Sequence, residues 1–464
     1  MTPSVTTGAT DQPLLDMTIG DNFDQTVSQF GAREAIVDVS SARRLTYDQL
    51  HLEVDSLAKA LINDGVGVGD RVGIWAVNCV EWVVVQFATA KVGAILVSVN
   101  PAYREHEVEY VLHQSGIRML FAHRVFRSSD YAGMLDAVGP RCAQLEHIVY
   151  FDDESWDRLL ARGRQVADHV VAEVQASLSP NDPINIQYTS GTTGFPKGAT
   201  LSHRNILNNG FFVGELLGYT PDDRICVPAP FYHCFGMVMG NLGASSHGSC
   251  VVIPSPTFDP DLTLRACAEE RCTSLYSVPT MFIRMLNVDD FAGYDLTSLR
   301  TGVMAGSPCP VEVMKKVTQW VPEVAIAYGM TETSPASLQT RPDDSIDRRV
   351  STLGRAHPHV EITIVDPDSG AVVPRGQSGE LCVRGYLVML GYWNQPEKTA
   401  EAIDADGWIH TGDLAAMDDD GYVSITGRIK DVVLRGGENI YPRDRGVPVH
   451  PSRHPRRPGD RGSG

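Results

Sequence analysis

The sequence predicts an α/β protein: two doubly wound βαβ lobes, then a small distorted β-barrel module and a disordered C-terminal tail. Three observations carry this. Strand and helix signals alternate at βαβ lengths between residues 70 and 122. The alternation returns between 250 and 328. After residue 350 it gives way to short strands of period two.

Residues 70–78 (DRVGIWAVN) read as a buried strand, Glu81–Val92 as a helix, Ala94–Val99 as a strand, Glu105–Gln114 as a helix and Arg118–Ala122 as a strand. Strands joined through helices pair in parallel, because a tight turn cannot make that connection. Further on, Cys250–Ile253, Ser274–Val278 and Val324–Tyr328 read as strands and Val311–Trp320 as a helix. VEITIVD, GELCVRG and GYVSITG then alternate, with turn signals at Asp368-Ser369-Gly370 and Asp419-Asp420-Gly421.

At 464 residues the chain exceeds one simple core. A net charge of -18 argues against nucleic acid as a partner and leaves at most a weak peripheral membrane contact. Met1–Gly20 has no basic or apolar block of the signal-peptide kind, and no apolar run reaches the roughly 18 residues of a membrane span. The nine cysteines form no C-x-x-C pair. That pattern predicts buried thiols in a reducing cytoplasm rather than a disulfide frame or a zinc site. No oligomeric state follows from the sequence.

The most informative segment is Tyr188–Gly198, YTSGTTGFPKG, after an alternating stretch Ile184–Tyr188. Thr189, Ser190, Thr192 and Thr193 supply hydroxyl donors, and Gly191 and Gly194 let backbone amides approach phosphate oxygens. Lys197 adds a point charge. The loop is not a Walker A motif, since Pro196 precedes the lysine. Downstream, Tyr328-Gly329-Met330-Thr331-Glu332-Thr333 follows a predicted strand, at the kind of strand end where open α/β sheets place ligands. Tyr328 offers a flat face for a purine, Thr331 a donor to phosphate and Glu332 a hard oxygen ligand for Mg²⁺. On its own this hexapeptide is an ordinary strand-to-helix turn.

These motifs, in this order, resemble the adenylate-forming (AMP-binding) superfamily of acyl-CoA synthetases, peptide-synthetase adenylation domains and firefly-type luciferases, up to about Arg443. The resemblance implies that Tyr328 stacks on adenine, Thr331 contacts the α-phosphate, and Glu332 helps hold magnesium, with Thr192 of the loop as a further magnesium contact. It places Gly306, Ser307 and Pro308 against the adenine edge, with Gly329 beside Tyr328. Asp413, in Thr411-Gly412-Asp413-Leu414, matches the ribose ligand, and Arg428 a second ribose contact. His233, in Phe231-Tyr232-His233-Cys234-Phe235-Gly236, matches the element at the carboxylate and acyl pocket. A histidine among aromatics is otherwise more often a core residue. Gly236, Met237, Met239, Gly240 and Gly243 then suit a roomy, adaptable pocket for an aliphatic chain. Lys430 falls at the hinge about which a C-terminal domain rotates between two half-reactions.

The implied activity is that of a fatty-acid–CoA ligase using ATP, Mg²⁺ and CoA. The expected intervals are 1–180 for the first lobe, 181–350 for the second with the nucleotide loop, 351–427 for the β module, 428–442 for the hinge and start of a C-terminal domain, and 443–464 for the tail. Alternatives remain: an amino-acid or aryl-acid adenylating enzyme, a luciferase, or a non-catalytic nucleotide-binding protein.

Residues 443–464 contain six Arg, four Pro and four Gly and nothing like the family's Gly-Lys motif. They fit disorder and impaired turnover through a missing C-terminal lid. From Asp444 onward, codons joined across their boundaries permit Ile-Glu-Glu-Phe-Leu-Tyr-Thr-His-Pro-Asp-Ile-Pro-Asp-Val-Gln-Val-Ile-Gly, a sensible opening for that lid. The hypothesis is a two-base loss near codon 444. The coding DNA tests it: the alternative frame is expected to stay open and to reach a downstream Gly-Lys motif, and an early stop there sinks it.

Overall fold

Two sheets built around parallel strands and one antiparallel sheet carry the chain in the computed structural model, which describes residues 2–189 and 196–429 together with the short strands Val433–Arg435 and Glu438–Ile440. The first sheet is seven-stranded, in the order Gly391–Tyr392, Lys197–Ser202, Pro183–Thr189, Ile95–Ser98, Arg71–Trp75, Met119–Ala122 and His147–Tyr150. Its last five strands run parallel, and Lys197–Ser202 is antiparallel to both of its neighbours. The second sheet is nine-stranded, with a parallel core of Glu323–Tyr328, Thr301–Met304, Ser274–Ser277, Arg224–Cys226, Cys250–Ile253 and Glu34–Asp38. The third sheet pairs Val5–Thr7, Val360–Val365, Gly379–Gly385, Ile409–Met417 and Val423–Arg428, all antiparallel.

The α/β class and the β-rich module are as the sequence predicts. Runs such as Ile95–Ser98 and Cys250–Ile253 are buried at every position and almost wholly apolar, as strands covered on both faces are. The helix Val80–Val92 is buried at every position but Glu81, so it is a core helix rather than a surface one.

Sheet membership cuts across the intervals 1–180 and 181–350. Glu34–Asp38 and Arg43–Thr46 belong to the second sheet, while Pro183–Thr189 and Lys197–Ser202 belong to the first. Long crossovers allow this: a strand joins whichever parallel edge its apolar faces fit, regardless of chain order. The strand Thr301–Met304 carries no sequence signal because glycine interrupts it. A Cβ on Gly302 would lie 2.3 Å from the Leu275 carbonyl oxygen, so the close approach of these strands excludes any larger residue. The helix expected over Val311–Trp320 ends at Val317. Pro322 disfavours helix at the residue before it, and Trp320 packs edge-on against Phe282 and Phe291.

The helix His203–Leu216 stitches these layers together. It opens with a capping box, Ser202 and Asn205 exchanging side-chain-to-amide hydrogen bonds of 3.1 and 2.8 Å. Its buried asparagines then reach out. Asn208 bonds both amide and carbonyl of Leu15, at 2.7 and 3.0 Å, and Asn209 does the same with Ala336, at 3.0 and 2.7 Å. Asn205 donates to the carbonyls of Tyr386 and Val388. Ala336 lies just beyond the Tyr328–Thr333 segment, so this helix sets the position of that segment.

His203 is fully buried at the start of the helix, and its Nδ1 accepts the Ile19 amide at 3.2 Å. Burial lowers its pKa to about 4. The native form is therefore neutral, whereas the unfolded chain takes up this proton near pH ~6.5. The stabilisation is fully present above that pH and is lost as pH falls toward 4. Denaturant melts at about pH 7 and about pH 4.5 are expected to differ by roughly 2–3 kcal/mol from this group, and His203→Asn, which keeps the acceptor, is expected to remove that part of the difference.

Candidate active site

The strand Glu323–Tyr328 delivers its last residue to the carboxyl edge of the second sheet, beside Thr301–Met304. Met304 pairs with Ile326, which sets Gly306 level with Tyr328. Gly306, Ser307 and Pro308 are exposed there, Gly306 with φ +85°. The Tyr328 hydroxyl donates to Asp413 Oδ2 at 2.5 Å, and Arg428 Nε donates to Asp413 Oδ1 at 2.9 Å. Burial first, and Asp413 second, push the Tyr328 phenol well above its usual range, so it stays a neutral donor. Asp413 lies within the strand Ile409–Met417, which Gly412 kinks at φ +72°. The second and third sheets thus meet in one chain of contacts, Tyr328–Asp413–Arg428.

A second chain of contacts joins the second sheet to the first. Glu332 is buried, and its Oε1 accepts the Tyr392 hydroxyl at 2.8 Å. The Lys197 ammonium sits 3.9 Å from the centroid of the Tyr392 ring, a cation–π contact. The Met389 amide donates to the Glu332 carbonyl at 2.9 Å. Gly329 is required where this loop folds on itself: a Cβ would lie 1.7 Å from the Pro335 carbonyl oxygen. Thr331, half-exposed, opens the single 3₁₀ turn Thr331–Thr333.

Thr189 and Lys197 face each other across the antiparallel pair Pro183–Thr189 and Lys197–Ser202. The loop they bracket includes Ser190, Gly191, Thr192, Thr193 and Gly194, which lie outside the described residues, as does Lys430. Pro196, at the loop's end, accepts the Tyr110 hydroxyl at 3.0 Å.

His233 belongs to the same neighbourhood. The next residue, Cys234, donates its amide to Gln187 Oε1 at 3.0 Å, and Gln187 lies on the strand leading into the glycine-rich loop. Burial first, then the nearby Glu332 carboxylate, push the Cys234 thiol above its usual range. His233 is exposed, and its ring centroid stands 4.1 Å from that of Tyr232; desolvation lowers its pKa, which favours the neutral imidazole. The residues after it form a π-helix, Phe235–Leu242. π-turns are frequent at functional sites.

The glycines there serve a purpose other than the open room expected. A Cβ on Gly236 would lie 2.3 Å from the Pro230 carbonyl oxygen, one on Gly240 3.0 Å from Val227, and one on Gly243 3.1 Å from the Gly210 carbonyl oxygen. Met237 and Met239 are buried. Gly236 and Gly240 let the π-helix pack closely on its neighbours, and Gly243 does the same just beyond it.

Comparison with known proteins bears on this geometry. The family model for the AMP-binding enzyme matches residues 23–393. The chain belongs to that family. This AMP-binding enzyme is 45% identical over 452 residues to the putative acyl-CoA synthetase YngI of Bacillus subtilis (strain 168), covering 93% of the chain and 82% of the relative. It is 42% identical over 466 residues to the mitochondrial medium-chain acyl-CoA ligase ACSF2 of Danio rerio, covering 96% of the chain and 77% of the relative. Its fold matches the crystal structure of the anthranilate CoA ligase AuaEII in complex with anthranoyl-AMP, with a TM-score of 0.82 at 26% identity, covering 94% of the chain and 81% of that one. By family it is an ATP-dependent, AMP-forming ligase of the acyl-CoA synthetase type.

Tyr392 and Gln187 hold the AMP-binding enzyme's site together without having been singled out in the sequence. The Tyr392 hydroxyl bonds Glu332, and the Gln187 side chain bonds Cys234 and the Met237 sulfur, partners distant in sequence that no periodicity encodes. For Tyr392 the only local signal is Gly391, whose φ of +142° lets the two-residue strand Gly391–Tyr392 pair with Ala199 and Thr200. Tyr392→Phe is expected to cost about 1–2 kcal/mol in denaturant melts, because buried Glu332 loses its partner. Tyr392→Ala is expected to cost more, since the ring under Lys197 goes as well.

Proposed function

We propose that the chain activates a medium- or long-chain fatty acid with ATP to an acyl-adenylate and passes the acyl group to CoA. The observation that supports this best is the pair of contact chains, Tyr328–Asp413–Arg428 and Lys197–Tyr392–Glu332. They set an aromatic face and a ribose-type carboxylate beside a cation and a buried carboxylate, which is the order adenosine and phosphates require. The substrate carboxylate attacks the α-phosphorus, and pyrophosphate leaves. The CoA thiolate then attacks the acyl carbon and AMP leaves. Tyr328 carries the adenine beside Gly306–Pro308, Asp413 and Arg428 take the ribose hydroxyls, and Thr331 and Lys197 meet the phosphates. His233, neutral, orients the carboxylate at the near end of the acyl chain. Glu332 suits magnesium, because it is a hard oxygen donor whose Oε2 makes no hydrogen bond among the described residues. Magnesium, when bound, offsets charge developing on the phosphates.

The aliphatic acyl group follows the names of the two relatives; AuaEII, an anthranilate ligase, keeps an aryl acid as the second reading. Thioester formation from a ladder of fatty acids, with anthranilate beside it, separates them. All nine cysteines are free thiols, which suits a reducing compartment such as the cytoplasm, and no helix among the described residues is long and apolar enough to cross a membrane.

The reading of residues 444–464 as a shifted frame belongs to this proposal. The segment as it stands holds no Gly-Lys motif. A chain translated in the alternative frame is expected to exceed the given one in ATP–pyrophosphate exchange, and equal rates count against that reading.

Calorimetry with Mg·ATP is expected to show binding. Tyr328→Ala is expected to weaken it about tenfold or more, the scale of one lost base–aromatic stack. Equal affinity in the variant removes the aromatic platform from the proposal.

A further inference from the structure

Outside the contact chains above, three donors of different chemistry converge at one face of the third sheet. Cys382 and His410 are directly paired across the antiparallel strands Gly379–Gly385 and Ile409–Met417. Glu380 lies two residues before Cys382, on the same face, and the register shifts between them. Such a bulge re-aims side chains, here toward the cross-strand histidine. His410 Nδ1 lies 2.8 Å from Glu380 Oε2 and 3.4 Å from Cys382 Sγ. The three ligand atoms lie within 4.8 Å of one another.

We propose that Glu380, Cys382 and His410 form a binding site for a thiophilic divalent cation of the zinc kind. The geometry supports it. Tetrahedral zinc, with bonds of about 2.3 Å to sulfur and about 2.0 Å to nitrogen, sets those two ligands about 3.5 Å apart, close to the separation already present. The imidazole and carboxylate need to open by only about 0.5 Å to reach the corresponding distance. Nδ1 carries at most one proton, yet an oxygen and a sulfur both face it. That is convergence on a point rather than pairing off.

The surroundings agree. Asp404 Oδ2 stands 3.7 Å from His410 Nε2, where a carboxylate can orient a ligating imidazole. Glu380 Oε1 is fixed by the Gly412 amide at 3.1 Å, leaving Oε2 for the cation. The His410 side chain is 36% exposed while Cys382 is buried, so a cation has an entry path and the sulfur is shielded. Sulfur and nitrogen donors select zinc over magnesium, so this site is chemically separate from the one Glu332 offers ATP's metal. It also lies beside Gly412 and Asp413, next to the ribose carboxylate.

The test uses the full 464-residue chain without nucleotide, in buffer containing magnesium. Cobalt(II) titration is expected to give one ion per chain with a sulfur-to-cobalt charge-transfer band, and zinc is expected to displace it. Cys382→Ser is expected to abolish the band, and His410→Asn to weaken zinc binding about tenfold or more, with circular dichroism confirming that both remain folded. Cys382→Ala serves if the serine variant fails to fold. A variant of the other buried thiol group, Cys267→Ser, is expected to keep the band, since Cys226, Cys267 and Cys272 also lie within 4.8 Å of one another. The proposal is overturned if the native chain shows no band, if the band survives loss of the Cys382 sulfur, or if Cys267→Ser alone removes it.

Discussion

Glu332 is buried, accepts the Tyr392 hydroxyl on its carboxylate and accepts the Met389 amide on its carbonyl. An ionisable group in such a place is tolerable only while its partners stay put, because an unpaired buried carboxylate costs several kcal/mol. The need to satisfy it ties the loop after Tyr328 to the segment 389–392, and through Tyr392 to Lys197 on the first sheet. The site's geometry follows from that constraint. The Lys197 ammonium and the buried Glu332 carboxylate are set against each other by one phenol.

Polar contacts do the same elsewhere. The asparagines of His203–Leu216 fix backbone at Leu15, Ala336 and the segment holding Tyr386 and Val388, three places far apart in sequence. Apolar packing alone would leave sheets free to slide in small steps, whereas a paired amide on one specific backbone unit allows one register only. The Tyr328–Asp413–Arg428 chain extends this to the third sheet. Tyr328 and Asp413 therefore come from different layers, yet the chain Tyr328–Asp413–Arg428 is joined by hydrogen bonds of 2.5 and 2.9 Å.

The cysteines show how a sequence pattern can be read correctly and still be incomplete. All nine are free thiols and eight are buried, as their spacing predicts. The absence of a C-x-x-C pair argued against zinc, but that argument concerns ligands close in sequence. Antiparallel pairing brings Cys382 within 3.4 Å of a histidine 28 residues away. Cross-strand neighbours are invisible to a spacing rule.

The sequence by itself determined the α/β class, the antiparallel module after residue 350 and the family to which the chain belongs. Those depend on local periodicity, turn residues and the short contiguous strings around Gly191, Tyr328 and Asp413. Tertiary structure alone decided which strands share a sheet, so that Glu34–Asp38 lies with Cys250–Ile253 and Lys197 lies opposite Glu332's partner. It also decided that the glycines after His233 pack closely against neighbouring backbone and side chains, and that Tyr392 and Gln187 join distant segments. The physical reason is the same in each case. Propensity and periodicity act over a few residues along the chain, while hydrogen bonds and close backbone approach act over a few ångströms in space, between residues the chain order does not relate.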